Sequence, residues 1–597
     1  MTWKIILLTI NGYLITFYTL ILYKIKNAFM KSLFKLSFTV IAFSLIFSAC
    51  KNKSNDAGKM IPKNALIIID LNSKSLSSKL PWDEIKQTTW FNHHYNDSSM
   101  PVWTKAIMDD PQKAGIDLKN DLIFFFLKNM DDAQIVCEGD VKNSKTFGDF
   151  IKNLNTKATI NKEGDLNTFI LDKGVAAWND KKFALLTNAP KHSMQMDDTT
   201  KSAAPLVSPN DNLLRVCKTL FSLSSDTSME KNEKFTALLK EDGDIHYWQN
   251  TEELVKSSMN TAMGMMGMLK LDAFFKENIS TITANFDDGK ISFKQKMYAG
   301  KEFTDVLKKM NKSNINTDMI KNISSQNLAA VIAWHFNPEG FLDLIKLTGM
   351  DGFINIFLAQ QGLTLDDVVK ATKGDVVFAV SDLKPKKDST KTDTVYGMRN
   401  ERAFLPNATF LFSTSIADKD AFNKVINAVK KLDKTGNSAQ QNYKMSDAYF
   451  VAGNSPDAIN SFLAGNKTVP AFLDKIKDHP AGGFADIKMI IKSFEGSLTK
   501  DSSAKTLYDI NLKMWDNAFF TGGEFKDGAV TGNAEINLMD KTTNSLKQLN
   551  KYFDGMAKVM IEEKENHKEE WKKDSTNIMH SDTVLNKNNT HHKPSKK

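Results

Sequence analysis

Five methionines fall within the stretch MNTAMGMMGMLKL, at positions 259, 263, 265, 266 and 268. Thioethers are soft ligands that suit Cu(I), so this run is the first place to look for metal handling. Met259, Met263 and Met266 share one helical face, but the same spacing serves core packing, the favoured reading, or an adaptable groove for an apolar ligand or partner. His93 and His94, with Asp97 close by, follow Trp90 and Phe91 at what reads as a helix end, where a solvated or capping pair is simpler than a metal site. His591 and His592 lie in a lysine-rich tail, and His335 sits on an expected strand as a satisfied core or edge histidine. Asp287 and Asp288 are the type of pair a hydrolase acting on envelope polymers uses, yet Gly289 follows them, and Asp-Gly is what a tight hairpin requires. The chain has no Gly-x-Ser-x-Gly, phosphate loop, His-Glu-x-x-His or Cys-x-x-Cys, so no catalytic residue and no cofactor is assigned. A non-enzymatic binding or scaffold protein is the leading reading, ahead of a hydrolase or a Met-based metal handler.

One cysteine carries a different chemistry. Met30 opens MKSLFKLSFTVIAFSLIFSAC, in which Lys31 and Lys35 precede an apolar run from Leu36 to Phe47, and Ser48 and Ala49 precede Cys50. A basic start, a short apolar segment and small residues form a secretory leader, and the run is shorter than the roughly 20 apolar residues a membrane span needs. Its end resembles the lipobox of bacterial lipoproteins, in which the cysteine thiol is lipidated and becomes the first residue; Phe47 stands where an aliphatic residue is usual. The resemblance implies that Cys50 anchors the chain to a membrane. Residues 1–29 are long and apolar enough to span a bilayer; they are expected to be a gene-start extension, with translation from Met30, or else a transmembrane segment. Lys51, Asn52 and Lys53 follow the cysteine, in place of the acidic residues typical of surface-exported lipoproteins, so the outer membrane's periplasmic face is the expected location.

The formal charge is +8, but residues 1–49 hold five lysines and no acid, which leaves the remainder near neutral. Arg215, Arg399 and Arg402 are its only arginines, a poor endowment for bidentate phosphate or base contacts, so nucleic acid is excluded as a partner. The other cysteines, Cys137 and Cys217, are compatible either with a disulfide in an oxidising compartment or with two separately buried thiols.

The elements that position these residues occur in two series. LIIIDLNSKSL (66–76) matches VIAWHFNPEGF (331–341) with Asn72 on Asn337, each a strand ending at a helix cap. GIDLKND (115–121) matches GLTLDDV (362–368). VKNSKTFGDFIKNL (141–154) matches IADKDAFNKVINAV (416–429), with Asn143 and Asp418 as caps and the Phe147, Phe150, Ile151, Leu154 stripe recurring as Phe422, Val425, Ile426, Val429. NFDDGKISFKQKM (285–297) matches EFKDGAVTGNAEI (524–536), each with an Asp-Gly hairpin. The expected fold is α+β: two related modules of antiparallel or mixed sheet, at 61–300 and 325–540, with helices on one face, related by an internal duplication. A leader (30–49), a tether (50–60), a C-terminal helix (541–571) and a disordered tail (572–597) complete the organisation. The leader, the opener IPKNALIIIDLNSKSLSSKLPWDEI (61–85) and AYFVAGNSPDAINSFLAG (448–465) together resemble a family of Bacteroidota lipoproteins built on a domain of unknown function. That resemblance implies an envelope lipoprotein, bound to the membrane through Cys50, whose partner is an envelope protein or an apolar ligand.

Overall fold

Runs such as IIIDL and LIFFFLK carry branched or aromatic side chains at successive positions, so they are apolar on both sides and must lie inside a sheet covered above and below. A computed structural model describes residues 57–565 except 97–101, 118, 130–131, 155–157, 172–173, 190–208, 260–273, 386–405, 433–441, 466 and 496–501. In chain order its elements begin with β1 (Ile67–Leu71), α1 (Ser73–Lys79), α2 (Trp82–Lys86), α3 (Thr89–Tyr95), β2 (Leu122–Asn129), β3 (Asp132–Asp140) and α4 (Ser144–Leu154). There follow β4 (Asn161–Glu163), β5 (Leu166–Leu171), β6 (Gly174–Trp178), β7 (Lys182–Asn188), α5 (Pro209–Phe221), α6 (Glu233–Lys240), β8 (Ile245–Asn250), α7 (Thr251–Met259), β9 (Ile279–Asp287) and β10 (Lys290–Tyr298). The second half contains α8 (Thr317–Lys321), β11 (Leu328–His335), α9 (Pro338–Leu347), α10 (Asp351–Ala359), α11 (Leu365–Ala371), β12 (Thr372–Lys384), β13 (Asn407–Ile416) and α12 (Lys419–Leu432). It ends with β14 (Asn442–Met445), β15 (Tyr449–Gly453), α13 (Pro456–Ala464), α14 (Leu473–Ile476), β16 (Ala481–Ala485), β17 (Trp515–Lys526) and β18 (Ala529–Leu538), then α15 (545–565).

All eighteen strands of the described residues join one antiparallel sheet, in the spatial order β4-β5-β6-β7-β3-β2-β1-β8-β9-β10-β18-β17-β16-β11-β12-β13-β15-β14. The run from β6 to β10 and the run from β14 to β18 have the same connectivity and meet where β10 pairs with β18; β4 and β5 are an extra hairpin of the first half. Asn72 and Asn337 hold equivalent places: each follows the central strand of its half and caps the next helix, accepting from the backbone N–H of Ser75 and of Gly340. Asn143 and Asp418 likewise accept from the N–H groups of Thr146 and Ala421. Asp527 and Gly528 both take positive φ, 52° and 78°, as a two-residue hairpin with the sheet's twist demands. The GIDLKND and GLTLDDV segments part company: the first contributes a bridge from Ile116 to Val141, while in the second Thr364 and Asp367 form the capping box of α11.

The α+β antiparallel architecture agrees with the sequence reading, and the helices lie more widely than on one face. One face, B, carries Ile68, Phe125, Val136, Leu186 and Trp248 under α5 and α6, and in the second half Val331, Ala333, Val377, Ala379 and Leu411 under α8, α13 and α14. The opposite face, A, carries Ile69, Leu71, Phe124 and Ile245 in the first half, covered by α1, α2, α3 and α15 through Leu76, Leu80, Ile85, Trp90, Phe91, Leu546 and Ala557. Farther out on face A, Phe147 and Ile151 of α4 cover Cys137, Ala176 and Leu185. Asp554 of α15 accepts from the N–H of Thr89 at the start of α3 (2.6 Å), which fixes the C-terminal helix to the first half.

Each half also buries a carboxylate–imidazole pair between registered strand partners. Asp70 on β1 stands opposite His246 on β8, with Oδ2 2.8 Å from Nδ1, and His335 on β11 stands opposite Asp375 on β12, again at 2.8 Å. The first pair is almost fully buried. Removing one member of such a pair leaves an uncompensated charge, so His246→Leu is expected to cost about 3–5 kcal/mol. The double change Asp70→Leu/His246→Leu should recover much of that loss in urea unfolding; additive losses would show that the pair does not act as a unit.

Candidate functional site

The carboxylate–imidazole pairs are the first arrangement to test for chemistry, because an imidazole oriented by a carboxylate is the base half of many nucleophilic sites. His246 is closed to substrate: it is 1% exposed and its Nε2 lies 3.1 Å from the carbonyl oxygen of Glu241. Around it Glu241 bonds Thr283 at 2.7 Å and pairs with Lys296, and burial of Glu241 is outweighed by those bonds, which hold its carboxyl below the usual range. Asp375 behaves alike: burial opposes its charge, but hydrogen bonds from His335, Ser415 and Asn316 hold it low. These are polar ties between strands, spaced 176 and 40 residues apart in the chain, and no local sequence pattern announces them.

The residues singled out from sequence do not converge. Cys50, Met263, Met266, Asp97, His591 and His592 lie outside the described residues, and of Met259 only its place at the end of α7 is described. His93 and His94 are exposed in the last turn of α3 with rings 6.0 Å apart. Asp287 ends β9 and accepts from the Ser292 hydroxyl at 2.8 Å, and Asp288 occupies the hairpin turn, so their roles are structural. Cys137 and Cys217 are free thiols packed on opposite faces of the sheet, which rules out their pairing; burial pushes both up to about 12. Among the described residues there is no group of three or more His, Cys, Asp or Glu placed to hold a metal ion, and no helix long and apolar enough to cross a membrane.

What the structure does bring together is apolar surface, on face A of the second half. Directly opposed residues of neighbouring strands share a face, which sets Ile332 in a row with Phe378 and Phe412 on one side and with Gly483, Phe520, Ala534 and Phe293 on the other. The next row runs from Val376 through Trp334 and Ala481 to Gly522 and Gly532. Trp334, Ile332, Phe410 and Phe520 are 40–42% exposed, although each sits on a strand. Trp334 is 5.1 Å from the Phe336 ring, which is 5.7 Å from Phe341 of α9, and Phe378 stacks 6.4 Å from Phe410. Between these rings the floor is low. Gly483 is buried beneath the Phe520 ring, which comes 2.1 Å from where a Cβ would stand, while Gly522 and Gly532 carry no side chain and Ala481 only a methyl group.

Every large apolar side chain found exposed among the described residues belongs to the second half, from Ile332 to Phe520. The asymmetry has a local cause. In the first half, the helices after the central strand fold onto face A and bury Ile85, Trp90 and Phe91. In the second, α12 covers only the outer end, where Phe422 meets Phe450 and Met445, and α10 buries none of its residues. Sequence reading missed this because alternation identifies two faces without saying which one the helices leave bare.

No family model and no curated protein matches the chain. Among solved structures, crystal form III of TP0453 is similar with 7% identity and a TM-score of 0.23 over 43% of this chain and 87% of that one. Crystal form I of TP0453 gives 6%, 0.22, 43% and 81%. At those scores the likeness carries no argument.

One buried group gives a pH dependence. Glu138 on β3 has an oxygen, Oε2, with no hydrogen-bond partner. Burial raises its carboxyl from 4.5 to about 7, with Lys182 opposing and Asp140 and Asp70 adding to the rise. Between those values the native state holds a proton that the unfolded state has released, so stability falls as pH rises through that window. Glu138→Gln is expected to remove a fall on the order of 3 kcal/mol when urea unfolding is compared at roughly pH 5 and pH 8. An unchanged pH slope in the variant would contradict the assignment.

Proposed function

We propose that this is a membrane-anchored protein of the cell envelope, lipidated at Cys50 and facing the periplasm from the outer membrane, that binds an apolar ligand without catalysis. The ligand surface is face A of the second half. The observation that carries this reading is the exposure of Trp334, Ile332, Phe410 and Phe520 on the strands of a sheet whose other half has the same face covered. Soluble surfaces seldom leave contiguous large apolar side chains to water unless something docks there, and apolar surfaces with few polar groups suit small apolar molecules.

A long acyl chain is the chemical class that matches. Its methylenes gain about 0.8 kcal/mol each on leaving water, and the low strip of Ala481, Gly522 and Gly532 lets an extended chain lie close to the backbone beside the aromatic rings. The Asp70–His246 pair is buried and the His335–Asp375 pair lies on face B with Val331 and Ala333, away from such a ligand, which favours binding over hydrolysis. The repeated strand order of the halves and the matched caps Asn72 and Asn337 support descent from one duplicated unit, in which the second copy kept or gained an open face.

Competition of palmitate against an environment-sensitive fluorophore tests the site. Trp334→Ala is expected to weaken palmitate binding about tenfold, since part of a large side chain's roughly 1.5–3 kcal/mol of burial is lost. Ile69→Ala, under the covered face, should leave affinity unchanged. Equal affinity in the wild-type chain and Trp334→Ala, or no saturable displacement, would contradict the proposal.

A further inference from the structure

Helix α10 inverts the usual rule of burial. Its sequence, DGFINIFLA, is apolar at Phe353, Ile354, Ile356, Phe357 and Leu358, a composition that normally places a helix inside a core. At 100° per residue, Ile354 and Leu358 share one side, and Phe353, Ile356 and Phe357 occupy the other. Ile354 and Leu358 are half-buried; Ile356 is 65% and Phe353 51% exposed, with Phe357 and Met350 beside them. The apolar side therefore points away from the body.

We infer that α10 is a lipid-contacting helix that seats the second half on the bilayer surface. Three features select a lipid surface over a protein partner. The outward side is mostly hydrocarbon: Phe353, Ile356, Phe357 and Met350 outnumber the two exposed amides, Asn355 and Gln360, whereas protein interfaces carry about one hydrogen bond per 100–200 Å². The surface is a ridge, which a fluid apolar medium accepts without a matching groove. The chain's own geometry supplies the third. Cys50 precedes the first described residue, Ala57, by a stretch that reaches at most about 25 Å when fully extended, so a body anchored there cannot leave the membrane's vicinity. Lys346, exposed in the last turn of the preceding α9, adds a cation that anionic headgroups attract. The inference rests on the anchoring at Cys50 and is independent of whether face A binds an acyl chain.

The full chain, reconstituted into vesicles of phosphatidylethanolamine and phosphatidylglycerol, carries a fluorophore on Ile356→Cys or, separately, Phe353→Cys; Cys137, packed against the core, and the buried Cys217 are spared. A control label sits at Lys162→Cys, exposed on β4. Vesicle flotation reports the anchor, and quenching by doxyl-labelled lipid reports the helix. The expected result is flotation, with quenching at 356 and 353 several-fold above that at 162 and a matching loss of quenching by aqueous iodide. A chain that does not float overturns both the anchor and the helix assignment. A chain that floats while its α10 labels are quenched no more than the control overturns the helix assignment alone, as does shielding from iodide without lipid quenching, the pattern of a protein partner.

Discussion

The pairing of β10 with β18 determines what the rest of the molecule must do. Eight consecutive residues of each strand are in register, from Lys290 opposite Asn537 to Met297 opposite Val530, and this ladder converts two sheets into one. Once they are joined, the halves share their two faces, and each apolar side chain on a strand is either covered by a helix or left to water. At the junction itself the strands alternate, with Gln295 and Ser280 as the polar residues on face A. Thr281, Thr283, Lys294, Lys296 and Asn533 line up on face B, while Ile282, Ala284, Phe293, Ile291 and Ala534 line up on face A. The two hairpins are amphipathic ribbons, which is why face A continues as an apolar surface from one half into the other.

Coverage of that surface is unequal, and the inequality is the structural fact closest to function. The first half spends α1 to α4 and the C-terminal helix on face A; in the second half α12 covers the outer end, helices at Ile487–Lys492 and Ser502–Met514 pack against β17, and α10 is directed outward. Closing face A in both halves would give an unremarkable layered domain. Leaving it open exposes Trp334, Ile332, Phe410 and Phe520 to water, an arrangement that soluble surfaces seldom keep over a contiguous patch.

Much of the architecture was legible in the sequence where the determinant is local. Asn72, Asn337, Asn143 and Asp418 are caps because short polar side chains meet the free N–H groups of the next turn, and the Phe147 and Phe422 stripes bury one helical face for the same local reason. Asp288-Gly289 and Asp527-Gly528 turn hairpins because the backbone there needs φ values that glycine tolerates. What sequence could not reveal is set by tertiary partners. Aligning the halves puts Asp70 against His335, yet the acid finds its imidazole on β8 and the imidazole finds its acid on β12, from opposite flanking strands. The segment GFINIFLA reads as core, and only the fold shows that its apolar side has no protein to meet. Cys137 and Cys217 could be judged for pairing only once the sheet was known to separate them.

The open face is tested most directly by photolabelling the full chain with a diazirine-bearing fatty acid and mapping the adducts by peptide mass spectrometry. If the second half's face A is a ligand surface, adducts will concentrate on the β11, β12 and β17 peptides bearing Ile332, Trp334, Phe378 and Phe520, and excess palmitate will suppress them. Adducts spread evenly over both halves, or insensitive to palmitate, would contradict it.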